Sequence, residues 1–125
     1  MTSEETKARG YKDLIVWQKA MLLVRNIYLL TNKFPSDERF GLISQMRRAA
    51  VSVPSNIAEG QARHSTGEFI QFISHAEGSV AELDTQLAIA VDLGYCDDET
   101  AKPLFDLLLE LRKMLNGLRR KLQGR

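Results

Sequence analysis

Apolar residues recur every three or four positions in four stretches of this chain, and nowhere do they alternate with polar ones as a half-buried strand requires. That period is the strongest constraint on the fold, because it commits each stretch to a helix with one apolar face. The first covers about residues 13–33, with Leu14, Trp17, Met21, Val24 and Tyr28 on one face. Pro35 ends it by disfavouring helical geometry at Phe34. Ser36 then suits an N-cap, with Asp37 and Glu38 in the positively polarised first turn. The second stretch covers about residues 37–62 through Leu42, Met46, Ala49 or Ala50, Val53 and Ile57, and it holds Pro54. An interior proline removes a backbone hydrogen bond and crowds the preceding turn. The pattern continues for about two turns beyond it, so a kink is expected rather than a break. Ser65-Thr66-Gly67-Glu68 is a capping box that opens a third helix lined by Phe69, Phe72, Ile73, Ala76, Val80, Leu83, Leu87 and Val91. It should end at about residue 93, where Gly94 supplies a left-handed stop. Asp97-Asp98 signals the next N-cap; Leu104, Leu107, Leu108, Leu111, Met114, Leu115, Leu118 and Leu122 form the fourth apolar face. Pro103 fits a first turn, which starts the regular helix there and leaves residues 98–102 as a looser turn. Helices joined by turns this short imply an all-α, antiparallel up-down-up-down four-helix bundle with a Pro-kinked second helix.

A length of 125 residues leaves room for one domain, residues 11–125, behind a polar tail of residues 1–10. Hydrophobic residues at 44% and charged residues at 26% exclude wholesale disorder. The single cysteine, Cys96, excludes an intrachain disulfide and a Cys-rich metal site. The first ten residues lack the apolar core of a secretory signal, and no run approaches the ~20 apolar residues that span a bilayer. A cytoplasmic protein with no membrane partner is expected.

The apolar residues exceed what a lone bundle uses. Leu14-Ile15-Val16-Trp17, Ala20-Met21-Leu22-Leu23-Val24 and Ile27-Tyr28-Leu29-Leu30 wrap most of the first helix, and Leu107-Leu108-Leu109 do the same for the fourth. Surplus apolar surface of this kind marks an interface, and soluble oligomers are mostly homo-oligomers. Self-association through Leu14, Ile15, Trp17, Leu22, Leu23, Leu108 and Leu109 is therefore expected.

A formal net charge of +1 excludes the overall basicity of a dedicated nucleic-acid binder, but the charge is segregated. Residues 64–110 carry ten acids and one lysine; residues 111–125 carry six bases and no acid. The macrodipole favours basic residues at a helix C-terminus, which accounts for two or three of them. As a cluster, Arg112, Lys113, Arg119, Arg120 and Lys121 also offer phosphate contacts to RNA or DNA, although no aromatic residue follows Phe105 to stack on bases.

Chemistry-bearing residues are sparse. His64 and His75 form no metal-ligand pair, and Glu77, Glu82 and Asp84 lack the Glu-x-x-His partners of a di-iron bundle. Asp97 and Asp98 beside Cys96 raise its pKa rather than activate it. No catalytic residue, cofactor or metal is expected, and the chain reads as a non-enzyme.

Residues 45–63 are the most unusual stretch. Ala49, Ala50, Ser52, Ser55, Ala58 and Gly60 surround Pro54, so another helix can approach closely. Ser52 can bond back to a carbonyl one turn earlier, while Ser55 or Asn56 can serve groups that Pro54 frees. Arg48 and Glu59 lie within a few turns, so an Arg–Glu pair across the kink or to the third helix is expected, and Arg47, Arg48 and Arg63 offer a second basic surface. Pro54, Asn56, Glu59 and Gly60 mark the motif. The run Glu38-Arg39-Phe40-Gly41-Leu42, then Gln45-Met46-Arg47-Arg48-Ala49-Ala50-Val51-Ser52-Val53-Pro54-Ser55-Asn56-Ile57-Ala58-Glu59-Gly60, resembles the 23S rRNA intervening-sequence protein family. Glu68-Phe69, Ala76-Glu77-Gly78-Ser79 and Leu93-Gly94-Tyr95 extend the likeness, as does the opening Leu14-Ile15-Val16-Trp17-Gln18-Lys19-Ala20. The resemblance implies an antiparallel four-helix bundle assembled as a homopentamer, with no catalytic residue. It is also distantly similar to the accessory protein of diversity-generating retroelements, a pentameric bundle that binds a reverse transcriptase and nucleic acid. Two functional readings follow: a non-enzymatic pentameric scaffold or adaptor that contacts RNA or DNA through its basic clusters, or a protein-only module that recruits a partner enzyme, such as a reverse transcriptase, through its acidic third helix.

Overall fold

A computed structural model describes residues 10–124; residues 1–9, most of the expected tail, and Arg125 lie outside them. A short 3₁₀ turn at Gly10–Asp13 leads into α1 (Ile15–Thr31), and a second 3₁₀ turn at Ser36–Glu38 leads into α2 (Leu42–Gln61). The α3 helix (Thr66–Asp92) and α4 (Asp98–Gln123) complete an all-α bundle, and the described residues contain no strand. Consecutive helices pack together, α1 closes on α4, and the diagonal pairs keep their backbones apart. Registers give the directions. Ser52 meets Ser79 while Gly60 meets Phe69 and Phe72, so α2 and α3 run oppositely. Glu77 meets Arg119 while Asp84 and Leu109 line one groove, so α3 and α4 do too.

Helix ends follow the chemistry of their caps. The Ser65 hydroxyl accepts the Glu68 N–H at 3.1 Å and donates to the Glu68 carboxylate at 3.1 Å, so Ser65 is the expected N-cap. Gly94 takes φ +78° after α3; the N–H groups of Gly94 and Tyr95 donate to the carbonyls of Val91 and Ala90, which ends the helix as a Schellman motif. Two expected boundaries are corrected. Ser36 does not cap α2: Gly41 sits there, and the Glu38 carboxylate reaches forward to accept the Leu42 N–H at 3.0 Å. The fourth helix starts at Asp98, not Pro103, because Asp97 accepts the Thr100 N–H at 2.7 Å and nucleates the turn five residues earlier. The hydrogen bond that Pro103 forgoes falls on the solvent side, where Pro103 and Glu99 are both exposed.

The core runs through all four helices: Ala20, Leu23 and Ile27 from α1, Met46, Val53 and Ile57 from α2, Ile73, Leu83 and Leu87 from α3, Leu108, Leu111 and Leu115 from α4. The apolar faces read for α2, α3 and α4 point inward. The face read for α1 only borders the core: Leu14, Trp17 and Val24 are half-buried against it, Met21 and Tyr28 are exposed, and Val16, Ala20, Leu23, Ile27 and Leu30 hold the centre.

The α2 helix is continuous through Pro54, and α2 and α3 form the closest-packed pair. Asn56 Nδ2 donates to the Ser52 carbonyl (2.8 Å) and hydroxyl (2.9 Å), and Ser55 Oγ donates to the Val51 carbonyl (2.8 Å). Ser52 therefore does not bond back along its own helix. Its hydroxyl lies 2.8 Å from that of Ser79, which donates to the His75 carbonyl, so Ser52 is left to donate across the interface. A Cβ on Gly60 would stand 2.8 Å from the Phe69 ring and 2.9 Å from Phe72 Cβ. The latter atom is fixed to the α3 backbone and cannot swing away. Gly60→Ala should therefore lower the denaturant unfolding midpoint, at a cost of about 1–3 kcal/mol from overpacking. Gly78→Ala, which meets open space on the same α3, should raise it by about 0.5–1 kcal/mol through helix propensity. Equal shifts of the two midpoints would show that contact at Gly60 is not limiting.

Candidate nucleic-acid and subunit interfaces

The basic residues singled out from sequence divide into tied and free. Arg47 is tied: its Nε donates to Thr31 Oγ1 (2.9 Å) and its Nη2 to Asn32 Oδ1 (3.0 Å), while the guanidinium covers the Tyr28 ring at 4.4 Å. It fastens α2 to the end of α1. Arg63 lies over Phe72 at 4.6 Å and pairs with Glu59 at 3.6 Å, so the expected Arg48–Glu59 pair is not formed. Arg119 is clamped by both Glu77 oxygens (3.0 and 3.3 Å) and by Asn116 (2.7 Å). Arg112 shares a groove with Asp84, and Lys113 one with Asp106 and Glu110. Arg48, Arg120 and Lys121 remain exposed and make no ion pair with a described residue. The acids of α3 and α4 thus offset much of the C-terminal positive run.

Sequence reasoning missed a third cluster. The α1–α2 connection sets Arg39 and Phe40 beside a groove of about 480 Å³. Its walls come from Tyr28 on α1 and from Ile43, Ser44, Arg47, Arg48 and Val51 on α2. Among the described residues no acid lines it. Phe40 is 91% exposed, against a core in which most apolar side chains are sealed. An aromatic between arginines in a helix break was the available signal.

The connection is held firmly. The Tyr95 hydroxyl donates to Glu38 Oε2 at 2.7 Å, joining the α3–α4 turn to the α1–α2 turn, and Tyr95 packs on Phe34 with ring centroids 5.5 Å apart. The Tyr95 bond, then the Leu42 N–H, holds the Glu38 carboxyl below its usual range; the same bond pushes the Tyr95 phenol up.

The apolar candidates divide as well. Leu23 and Leu108 are core residues and are withdrawn as interface residues: both point into the bundle. Leu14 and Trp17 are half-buried against the core, with Trp17 also edge-on to Tyr11 at 5.4 Å. Ile15, Leu22 and Leu109 are exposed, and Leu29, which was not singled out, joins them. Ile15 (57% exposed), Leu22 (44%) and Leu29 (59%) are spaced by seven and make one stripe along α1. Grooves continue it onto α4, where Pro103 lines one groove with Leu29 and another with Leu22, and Lys19 pairs with Glu110 at 3.3 Å.

Burial, then Asp97 and Asp98, pushes the Cys96 thiol up, away from the thiolate a nucleophile needs. Among the described residues no group of three or more His, Cys, Asp or Glu could hold a metal ion, and no helix is long and apolar enough to cross a membrane.

The Pro54 helix, its Gly60 contact and the arginine-bearing connection all lie within residues 12–117, the span matched by the sequence profile of the 23S rRNA-intervening sequence protein. The chain belongs to this family. A solved structure from Bacteroides thetaiotaomicron, described as a protein of unknown function from the S23 ribosomal protein family, superposes with a TM-score of 0.77. It is 21% identical, and the match covers 85% of this chain and 96% of that one, so the two share the fold. No curated protein matches the chain.

The Glu38–Tyr95 bond has a pH signature. Glu38, depressed in the fold, adds stability that is complete above its unfolded pKa and lost as pH falls through the folded value. Tyr95, raised in the fold, adds stability that is complete below its unfolded value and lost as pH rises through the folded one. The unfolding midpoint of Tyr95→Phe should therefore fall furthest below the native protein's at neutral pH, and the gap should narrow on acidification toward about pH 3. A gap that stays constant with pH would remove the Glu38 charge from the account.

Proposed function

We propose that this family member is a non-enzymatic homo-oligomeric scaffold or adaptor, a pentamer of four-helix bundles, associated with RNA or DNA through basic side chains its own acids leave free. The observation that carries the reading is the α1 stripe. Three large aliphatic residues, Ile15, Leu22 and Leu29, stand outward on a helix whose opposite side already fills the core. The fold does not need them there, and aligned exposed apolar residues favour a partner surface. The seam with α4 adds Pro103 and ions of both signs, as the rim of a subunit contact does. Repetition around a ring would multiply weak basic contacts into useful avidity.

The family resemblance supports five copies, and Arg48, Arg120 and Lys121 support phosphate contact. The second reading, a protein-only module that recruits an enzyme through the acidic α3, draws on the exposed Glu82, Asp84 and Asp92. It predicts no nucleic-acid affinity at physiological salt.

Light scattering on a size-exclusion peak tests the assembly. The expected mass is about 70 kDa, five copies of 14.1 kDa. The triple substitution Ile15→Ser, Leu22→Ser and Leu29→Ser changes only exposed positions and should reduce it to a single subunit that still unfolds cooperatively. A native protein eluting at 14.1 kDa would sink the scaffold reading.

A further inference from the structure

We infer that the groove flanked by Arg39, Phe40 and Arg48 is a binding site for single-stranded nucleic acid, with a base stacked on the Phe40 ring and the neighbouring phosphates on the two guanidiniums. This rests on the nucleic-acid side of the proposed function and is independent of the ring.

Charge is the first argument. Three guanidiniums line the groove, and among the described residues no acid does. In a chain of net charge +1, where acids of α3 and α4 sit among much of the C-terminal basic run, this groove gathers three guanidiniums beside an open concavity. Arg39 and Arg48 form no side-chain hydrogen bond or ion pair with a described residue. Each is free to meet a phosphate.

The second argument is the ring. Phe40 at 91% exposure contributes almost nothing to the core, yet it is not on a loose loop. The Ser36–Glu38 turn, the Glu38–Leu42 bond and the Glu38–Tyr95 bond fix the backbone on which it stands. A rigid, solvent-facing aromatic between cations is the platform on which an unpaired base stacks with little ordering cost. Arg47 extends it: its guanidinium is already laid over Tyr28 at 4.4 Å, so groove wall and ring both present flat, polarisable faces.

The third argument separates single strand from the alternatives. A duplex hides its base faces in the stack and would use the arginines but not Phe40. An acidic peptide would anchor an apolar side chain in a pocket, whereas here the apolar group projects outward and itself seeks a face to lie against. The C-terminal run, with no aromatic after Phe105, offers no such platform.

Fluorescence anisotropy with a labelled oligo(dT) and oligo(U) of about fifteen nucleotides tests the site. The native protein should bind both and prefer them to a duplex of equal length. Phe40→Ala should weaken binding by about ten-fold or more, and Phe40→Trp should restore it. Arg39→Glu with Arg48→Glu should weaken it further and lower the salt slope by about 1.4, the value for two phosphates of a single strand. All three variants alter exposed side chains, so their unfolding midpoints and oligomer mass should match the native protein's. Unchanged binding in Phe40→Ala, with loss on charge reversal at Arg112, Lys113, Arg120 and Lys121, would overturn the site while leaving the proposed function standing. A drop in mass in the Phe40 or arginine variants would overturn it in favour of a subunit contact, and preference for an acidic peptide would overturn it in favour of a protein partner. No affinity for any oligonucleotide in the native protein would remove this site and the nucleic-acid side of the proposed function together.

Discussion

The close approach of α2 to α3 is the constraint on which the rest of the bundle depends. Gly60 lets the Phe69 ring and the Cβ of Phe72 lie on the α2 backbone, and Ser52 and Ser79 link the two helices where a larger side chain would hold them apart. That approach explains why small residues and a proline are tolerated in a helix they would weaken in isolation. Intrinsic propensity is a fraction of a kcal/mol per residue, whereas a buried aliphatic side chain contributes about 1.5–3 kcal/mol. Tertiary packing decides, and residues 42–61 stay helical through Pro54 because Val53, Ile57 and Met46 seal against α3 and α1.

Most of the fold was legible because the apolar faces read for α2, α3 and α4 are the ones that point inward. On α1 the reading settled on the wrong one of two rows. Leu14, Trp17, Met21, Val24 and Tyr28 form a helical row, and so do Val16, Ala20, Leu23, Ile27 and Leu30. Periodicity cannot choose between two rows that both fit. Packing chooses, since Ala20 at the centre of the second row lets α1 settle against its neighbours. The ambiguity itself carried information: a helix with apolar residues beyond its core row has a surplus, and the sequence already placed Ile15 and Leu22 in it, though not Leu29. The caps Ser65 and Asp97 were legible, but the start of α2 was not: Glu38 reaches the Leu42 N–H along a backbone path that is a tertiary property.

The candidate interfaces were less legible because charge in sequence ignores what lies across the bundle. Arg119 reads as one of five basic residues in a run, yet Glu77 stands 42 positions earlier and meets it through the antiparallel α3–α4 register. Arg47 reads as half of an arginine pair, yet it closes the end of α1. Arg39 and Phe40 read as part of a helix start, and only the shape of the turn leaves them outside both helices. A run of basic residues therefore overstates the charge available to a ligand, and a short turn understates it.

The geometry of α1 ties the two surfaces together. Residues seven apart on a straight α-helix drift by about 20° per step, so Ile15, Leu22 and Leu29 stay within a strip about 40° wide. So narrow a strip suits one partner helix lying nearly along α1, not a broad apolar sheet. The strip adjoins the α4 seam, where Asn26 and Leu29 line one groove with Pro103, whereas Tyr28 turns toward α2 and the arginine groove. A subunit seated on the strip would cover one flank of α1 and leave the other open. Self-association and ligand contact then do not compete for the same residues, and α1 can serve the core along one row and a neighbour along the strip while the α1–α2 connection still faces solvent at Phe40.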